Sequence, residues 1–369
     1  MSLTTLGMKI FAKMDPEAAH RLAINLLRFG LFPSSKLLSK DPILEQNVFG
    51  INFSNPIGLA AGFDKNAVAF EPILALGCGF VEVGSFTPRA QFGNPKPRAF
   101  RLLEDESAIS RHGFNNDGLA KGLERLALRK KRSGLVGINL GINKDSKVPI
   151  ADYVDSIIRA SAYGDYITVN ISSPNTEGLR ELQNADNLDC LLKEIYKVKS
   201  SQLNDKKVPP ILLKVAPDIT NKMVEDIINL ALKYKIDGLI VGNTTISRPS
   251  SLQHHSKNEA GGLSGKPLFE LSTKILAQFY ILSEGRIILI GSGGVDGVET
   301  AYAKIKAGAT LIQVYTGLMY RGPELFRIIF DGLGNSLRED GFANIKDAIG
   351  VDAHIWHLVR SAYILAIYE

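Results

Sequence analysis

Cysteine is almost missing from this chain, with two in 369 residues. Cys78 and Cys190 have no metal-type spacing and give no disulfide framework, so a reducing compartment is the simpler expectation. Long apolar runs are missing too: none reaches the roughly 20 residues of a membrane-spanning helix. The N-terminus shows neither the apolar core nor the cleavage site of a secretory signal. Charge of one sign is scarce, since 43 basic against 38 acidic residues leave +5. With an isoelectric point near 9.0, the chain suits anionic ligands or an anionic membrane surface, and the excess is too weak to argue for nucleic acid. A soluble or peripherally attached intracellular protein is expected.

What is present is alternation. At 45% hydrophobic and 22% charged the composition is ordinary for a globular chain. Length alone allows two domains, though single α/β barrels of this size are common. From residue 57 onward short apolar runs alternate with helical patterns. The runs are IGLAAG (57–62), FVEVG (80–84), LVGINLG (135–141), YITVNI (166–171), ILLKVA (211–216), GLIVG (238–242), IILIG (287–291) and TLIQVY (310–315). Amphipathic stretches such as VEDIINLALKYK (224–235) and GVETAYAKIKAG (297–308) lie between them. Near-continuous apolar strands separated by helices predict a parallel sheet covered on both faces. Eight units over residues 57–335 match an α/β fold of the (β/α)8 TIM-barrel kind, about 250 residues long. A doubly wound open sheet is the runner-up.

The connections add a second signal. Helix-to-strand turns are tight, at 77–79, 163–165, 235–237 and 307–309, whereas the strand-to-helix loops 85–116, 172–186 and 243–265 are long. Long loops without their own secondary structure are usually functional or disordered. In a barrel these loops share the C-terminal face, where active sites lie. A short N-terminal helical extension (1–40) precedes the barrel domain (41–369). Its first helix would put Leu3, Leu6, Ile10 and Met14 on one stripe. Asp15-Pro16 then reads as an N-cap and a first-turn proline, opening a helix with Ala19, Leu22, Leu26 and Phe29 on one stripe that stops near Gly30. VFGINF (48–53) reads as a hairpin closing the barrel floor. The two helices could simply pack on the barrel or form an apolar lid that dips into a membrane surface.

Polar residues gather at nearly every strand end: Lys65, Ser85, Asn139, then Asn170, Ser173 and Asn175, then Lys214, Asn243 with Thr244, GSGGV (291–295), and Tyr315-Thr316. Lys214 within an apolar strand is expensive unless it is paired or faces a ligand. A structural ion pair explains it as well as a ligand does, but not the full set of polar strand ends. GSGGV leaves backbone N–H groups free for an anion, and the loops after strands seven and eight are the recurrent phosphate site of such barrels. A lysine beneath a cofactor held there would stabilise charge on a reduced flavin ring, so FMN fits better than NAD. NISSPNTEGLR (170–180) then gains a chemical reading. Serine, a poor base alone, can remove a carbon-bound proton only when the departing hydride is accepted by a flavin at the same time, or when a relay drains the proton. Asparagines around it would serve an amide-rich substrate. An ST-turn capping the next helix is the plain alternative.

AAGFDK, GNPKPRAFRL, NISSPNTEGLR, LLKVAPD, GNTT, GGLSGKPL and GAT-LIQVYTG together resemble the class 2, quinone-dependent dihydroorotate dehydrogenases, over nearly the whole chain. The resemblance implies oxidation of dihydroorotate to orotate in pyrimidine synthesis, through FMN to a membrane quinone. It implies Ser173 as the base that removes the C5 proton while hydride leaves C6. Lys65 would pair with the substrate carboxylate, with Asn170, Asn175, Asn243 and Thr244 around the ring. The stretch Ser110, Arg111, His112, Gly113 and Phe114 would complete the substrate site. Implied FMN contacts are Ala61, Gly62, Phe63, Asp64, Lys65, Ser85 and Asn139, together with Asn170, Lys214, Gly242, Gly265, Gly294, Tyr315 and Thr316. His20, Arg101 and Tyr315 match positions lining a quinone tunnel between the N-terminal helices, which favours the lid reading and peripheral attachment. That attachment is expected at the cytoplasmic face of a bacterial inner membrane, or at the mitochondrial inner membrane in a eukaryote. The soluble class 1 enzymes use cysteine as base, and neither cysteine here falls in the NISSPN loop.

Three positions depart from the family pattern. Ser110 replaces an asparagine that usually contacts substrate; one lost hydrogen bond costs roughly 1–3 kcal/mol, up to about a hundredfold in affinity. A water or Asn115 could fill the gap. Gly242 stands where threonine is frequent, and Ser292 where an aliphatic residue is usual. None is the base or a key lysine, so a tuned enzyme is expected. His254-His255 reads as a mobile polar loop rather than a metal site, and KKR (130–132) as solvated surface at a helix end. Competing readings are another FMN barrel with a different base, or a phosphate-binding barrel without catalysis.

Overall fold

The computed structural model describes residues 14–31, 40–129, 134–201 and 208–357. Eight parallel strands close into a barrel: β1 Ile57–Leu59, β2 Phe80–Phe86, β3 Leu135–Leu140, β4 Tyr166–Asn170, β5 Ile211–Val215, β6 Gly238–Val241, β7 Ile288–Ser292 and β8 Leu311–Val314. β8 returns to β1 through the register Ile312↔Ile57, so no open edge is left and the open-sheet runner-up is excluded. The eight runs read from the sequence each carry one strand. They lack a polar face because helices cover them outside and side chains fill them inside.

The interior is layered by the two-residue alternation of a strand. At the floor Phe80, Tyr166, Leu212, Ile240, Ile290 and Leu311 form one apolar cluster, into which Val48 and Phe53 of the expected hairpin (Gln46–Val48, Ile51–Phe53) plug. Phe80 meets Phe53 edge-on at 5.5 Å. Large rings fit because facing positions are glycine: a Cβ on Gly137 would stand 2.1 Å from the Tyr166 ring, and one on Gly58 2.2 Å from Phe80. Two residues further along each strand the interior turns polar, with Glu82, Thr168, Lys214 and Gln313 all buried. The residues between them face the helices, where Val81, Val83, Ile138, Ile167, Val169 and Leu213 join the main core. Each such side chain contributes about 1.5–3 kcal/mol by leaving water.

Two expectations about the mouth are corrected. The long loops 85–116 and 243–265 are not structureless. Ala99–Leu102, Ser107–Ser110 and Gly262–Gly265 form a three-stranded antiparallel sheet, with Ile109 opposite both Phe100 and Leu263. Four-residue strands paired across some 150 positions carry too little periodicity to be seen locally. The N-terminal helix, Pro16–Arg28, starts as expected, with Asp15 accepting from the Ala18 N–H at 2.9 Å. It ends at Gly30, whose φ of 67° suits a helix stop. Its buried face is not the expected stripe, however. Ala19 and Leu27 are buried, while Leu22 and Phe29 are exposed at 40% and 68%. The helix turns Ala19 and Ala23 to the cavity and seats Leu27 in the main core, so Leu22 and Phe29 are left outside. The expected first helix (Leu3, Leu6, Ile10) lies outside the described residues, as does KKR.

Candidate active site

A cavity of about 400 Å³ opens at the C-terminal mouth of the barrel, between the strand ends, the small sheet and the N-terminal helix. Its deepest wall is the polar layer. Lys214 is 5% exposed and lines the cavity with no hydrogen-bond or ion-pair partner among the described residues. Burial lowers its pKa, and the nearby Glu82 charge opposes that shift. The Glu82 carboxyl accepts from Asn139 Nδ2 at 2.7 Å, Tyr166 OH at 3.1 Å, Thr168 Oγ1 at 3.0 Å and Gln313 Nε2 at 3.0 Å. One acceptor group thus gathers four donors from three strands. Asn139 in turn fixes Ser85, whose hydroxyl donates to Asn139 Oδ1, and Asn170 Nδ2 reaches the same oxygen at 3.2 Å.

The serine loop forms a second wall. Ser173 is 7% exposed and faces the cavity. Its Oγ accepts from the Asn175 N–H at 3.3 Å, the ST-turn that was the plain alternative. That bond occupies an oxygen lone pair and leaves the hydroxyl hydrogen without an acceptor among the described residues. Asn243 Nδ2 donates to Ser172 Oγ at 2.8 Å, and Asn94 Nδ2 to the Asn175 carbonyl at 3.1 Å. Asn170, Asn175, Asn243 and Thr244 therefore share one pocket with Ser173. Thr244 Oγ1 and Asn115 Oδ1 are buried with no partner among the described residues, which leaves hydrogen-bonding capacity for a ligand.

On a third side Lys65 donates to the Gly62 carbonyl at 2.7 Å and lies 3.3 Å from His20 Nδ1. His20 Nε2 is 2.7 Å from the Phe63 carbonyl. That acceptor places the proton on Nε2, so Nδ1 receives the lysine. Burial, helped by the Lys65 charge, lowers the His20 pKa to about 3; burial likewise lowers Lys65 to about 8. His20 stacks on Phe63 at 5.2 Å, and Tyr315 OH donates to the Gly62 carbonyl at 3.2 Å. Glu17 anchors the helix above them through Arg98 Nε at 2.5 Å and Lys96 Nζ at 3.1 Å, with His112 Nδ1 at 3.4 Å. Arg101 donates to the Met14 carbonyl at 3.1 Å.

Most sequence-expected residues meet at this cavity. Ala61, Gly62, Phe63, Lys65, Ser85 and Tyr315 line it, as do Ser110, His112, Gly113 and Phe114 and the pair His20 and Arg101. Gly265, Gly294 and Thr316 line the far end. Four stand outside the lining. Arg111 turns away to Glu259 Oε2 at 2.7 Å and the Ala260 carbonyl at 2.8 Å. Asp64 is buried behind the wall, accepting from the Val68 and Ala69 N–H groups at 2.9 and 2.8 Å, with burial raising its pKa. Asn139 belongs to the polar layer, its amide engaged by Glu82 and Ser85, and Gly242 packs against the Ser292 carbonyl, where a Cβ would come within 2.2 Å. Sequence reading passed over Glu82, Gln313, Glu17 and Arg98. Only Glu82, an acid inside an apolar strand, carried a signal comparable to that of Lys214.

The donor set fits an elongated anionic ligand with a planar polar ring. Lys214 offers an unpaired ammonium at the base. At the far end the glycine loop gives backbone without side chains: φ is +104° at Gly293 and +75° at Gly294, and a Cβ on Gly294 would stand 2.4 Å from Phe269 Cα. Among the described residues no group of histidine, cysteine and acidic side chains could hold a metal ion.

A closed eight-stranded α/β barrel with a cofactor-sized cavity at its C-terminal mouth, largely apolar with polar groups at the strand ends, defines a TIM-barrel enzyme. Residues 43–337 match the family model described as dihydroorotate dehydrogenase. The chain belongs to that family. The dihydroorotate dehydrogenase (quinone) of Rhodopseudomonas palustris (strain BisA53) is 47% identical, covering 94% of this chain and 95% of that protein. The mitochondrial dihydroorotate dehydrogenase (quinone) of Oryza sativa subsp. japonica is 46% identical, covering 95% of this chain and 80% of that one. The ligand-free DHODH structure from Eimeria tenella superposes with a TM-score of 0.88 at 42% identity, covering 92% of this chain and 99% of that chain. Relatives thus include bacterial and mitochondrial proteins.

Proposed function

We propose that this protein oxidises dihydroorotate to orotate in pyrimidine synthesis, with FMN as its resident hydride acceptor and a membrane quinone as final oxidant. The observation that carries the reading is the meeting of Ser173, with an uncommitted hydroxyl hydrogen, and Lys214, an unpaired buried lysine, in one cavity. When bound, FMN would supply hydride-accepting, two-electron chemistry at this site. Lys214 offers charge to that ring, and the Gly293–Gly294 backbone offers N–H groups to its phosphate.

As the C6 hydride leaves, Ser173 Oγ takes the C5 proton and passes its own hydroxyl hydrogen to solvent water, so the C5–C6 double bond forms and the serine ends neutral. With that hydrogen handed on in the same step, neither an alkoxide nor an oxonium accumulates. Lys65 holds the substrate carboxylate. Asn170, Asn175, Asn243 and Thr244 read the ring amides with both donors and acceptors. The helix Pro16–Arg28, with His20, Arg101 and Tyr315, covers the quinone side. Exposed Phe29 and Leu31, each 68% accessible, support residues 1–40 as a peripheral contact with the inner membrane, cytoplasmic in bacteria or mitochondrial in eukaryotes. Among the described residues no helix is long and apolar enough to cross a membrane.

The test is anaerobic mixing of the purified protein with dihydroorotate while the flavin absorbance is followed. Bleaching that a quinone analogue restores supports both half-reactions. A yellow protein that stays yellow removes dihydroorotate as substrate, with Ser110 the first residue to restore to asparagine. Deleting residues 1–40 should spare bleaching and cripple quinone turnover.

A further inference from the structure

We infer that Lys304, a residue that touches no part of the cavity, is the positioning residue that makes the glycine loop selective for a phosphorylated flavin. The inference rests on the FMN reading above. Lys304 lies on the helix Val298–Lys306 and is fully buried. Among the described residues no carboxylate pairs with it. Its recorded contacts are a hydrogen bond from Nζ to Ser272 Oγ at 2.7 Å and a cation–π approach to the Phe269 ring at 5.4 Å. A lysine buried on those terms is costly. Burial alone pushes its pKa well below the usual lysine range. Such a side chain needs a compensating anion, and none lies beside it.

The compensation is available across the loop. Ser272 Oγ accepts from Lys304, so its single hydrogen is free to donate onward, and the Gly293 carbonyl stands 3.0 Å away with the Phe269 carbonyl at 3.1 Å. The Gly293 carbonyl is thereby turned toward the helix Phe269–Leu282 and away from the cavity. In a trans peptide the next N–H points opposite to that carbonyl, so the Gly294 N–H faces the cavity that Gly293 and Gly294 line. No acceptor for the Gly294 N–H is present among the described residues. The same assembly forbids a side chain at this point, since a Cβ on Gly294 would strike the backbone of Phe269, whose ring carries Lys304. Lys304, Ser272 and Gly293 form one relay with the lysine behind and an open amide in front. A dianionic phosphate seated on those amides is the counter-charge that Lys304 otherwise lacks.

The measurement is a partition. Full-length holoprotein is equilibrated with mixtures of FMN and riboflavin, and the ratio bound is read after rapid desalting. Wild type should strongly prefer FMN. Lys304→Met should narrow that preference by about tenfold or more, the order expected for one charge acting through two hydrogen bonds and a peptide unit in a buried setting. Ser272→Ala keeps the lysine but cuts the relay and should narrow it by a smaller factor. A purely structural lysine would weaken both flavins alike and leave the ratio at its wild-type value; that result overturns the inference. If Lys304→Met fails to fold, the ratio for Ser272→Ala decides, and a wild-type value there is equally fatal. A wild-type protein that holds riboflavin as well as FMN overturns the FMN reading itself, whichever way the variants behave.

Discussion

Arg180 binds Asp218 at 3.0 Å, and the same guanidinium reaches the Ser172 carbonyl at 2.9 Å and the Thr244 carbonyl at 3.0 Å. One side chain therefore ties together the loops that leave β4, β5 and β6. Asp218 completes the knot by accepting from Thr245 Oγ1 and, at 3.2 Å, from the Ile246 N–H. The loop carrying Ser173 is held from behind, so its hydroxyl can face the cavity without any side-chain partner of its own.

Arg180→Ala should slow flavin reduction by dihydroorotate by about ten- to a hundredfold, because a serine displaced by an ångström loses its alignment. Flavin content should stay near wild type, since Arg180 is remote from the glycine loop. Arg180→Lys should not rescue, as one ammonium cannot serve three acceptors in a fork. Stopped-flow reduction with a flavin assay checks both points, and rescue by lysine would show that charge alone matters.

Ser173→Ala tests the proton step. The Asn175 N–H loses one long hydrogen bond at a part-buried site, so stability should fall by no more than about 1 kcal/mol. The rate of flavin reduction should fall by at least about 10²-fold, the lower range for a positioned base. Thermal unfolding and single-turnover bleaching separate the two effects. An unchanged bleaching rate would remove Ser173 from the base role.

Much of this was readable from sequence because the physics was local. Strands covered on both sides are apolar throughout, and Lys214 stood out against four apolar neighbours. The missed features depend on partners distant in the chain. The mouth sheet joins residues 107–110 to 262–265, and Glu82 takes its meaning from donors on three other strands. Arg111 shows the limit of a motif: Ser110 and His112 line the cavity, while Glu259 and the Ala260 carbonyl, 148 and 149 residues away in the chain, draw Arg111 outward. The N-terminal helix misled for another reason. Its apolar residues do not all serve a core, so a stripe found by counting is not the stripe that is buried.

Glu17 gives the helix an acid-sensitive anchor. Burial raises its pKa, but the hydrogen bonds from Arg98 and Lys96 outweigh this and bring it down from 4.5 to about 2. A pKa depressed by folding gives stabilisation that is complete above pH 4.5 and is lost as pH falls toward 2. Amide exchange along residues 19–28 should therefore quicken over that interval once intrinsic rates are divided out. Glu17→Gln should show the faster exchange already at pH 6. Equal protection in the variant would mean that packing, not the ion pair, holds the helix.

Lys65 sets an opposite limit at alkaline pH. Burial lowers its pKa from 10.5 to about 8, so in the empty site the ammonium is charged below pH 8 and neutral above it. A carboxylate ligand needs the charged form. The affinity for orotate, read from the flavin spectrum, should hold steady below pH 8 and then weaken, approaching tenfold per pH unit until ligand-bound Lys65 itself titrates. Binding a carboxylate favours the ammonium, so the bound-state pKa lies higher and the loss levels off there. Lys65→Met should bind orotate weakly at every pH, with no break near 8. A variant that kept the break would assign it to another group and separate Lys65 from the substrate carboxylate.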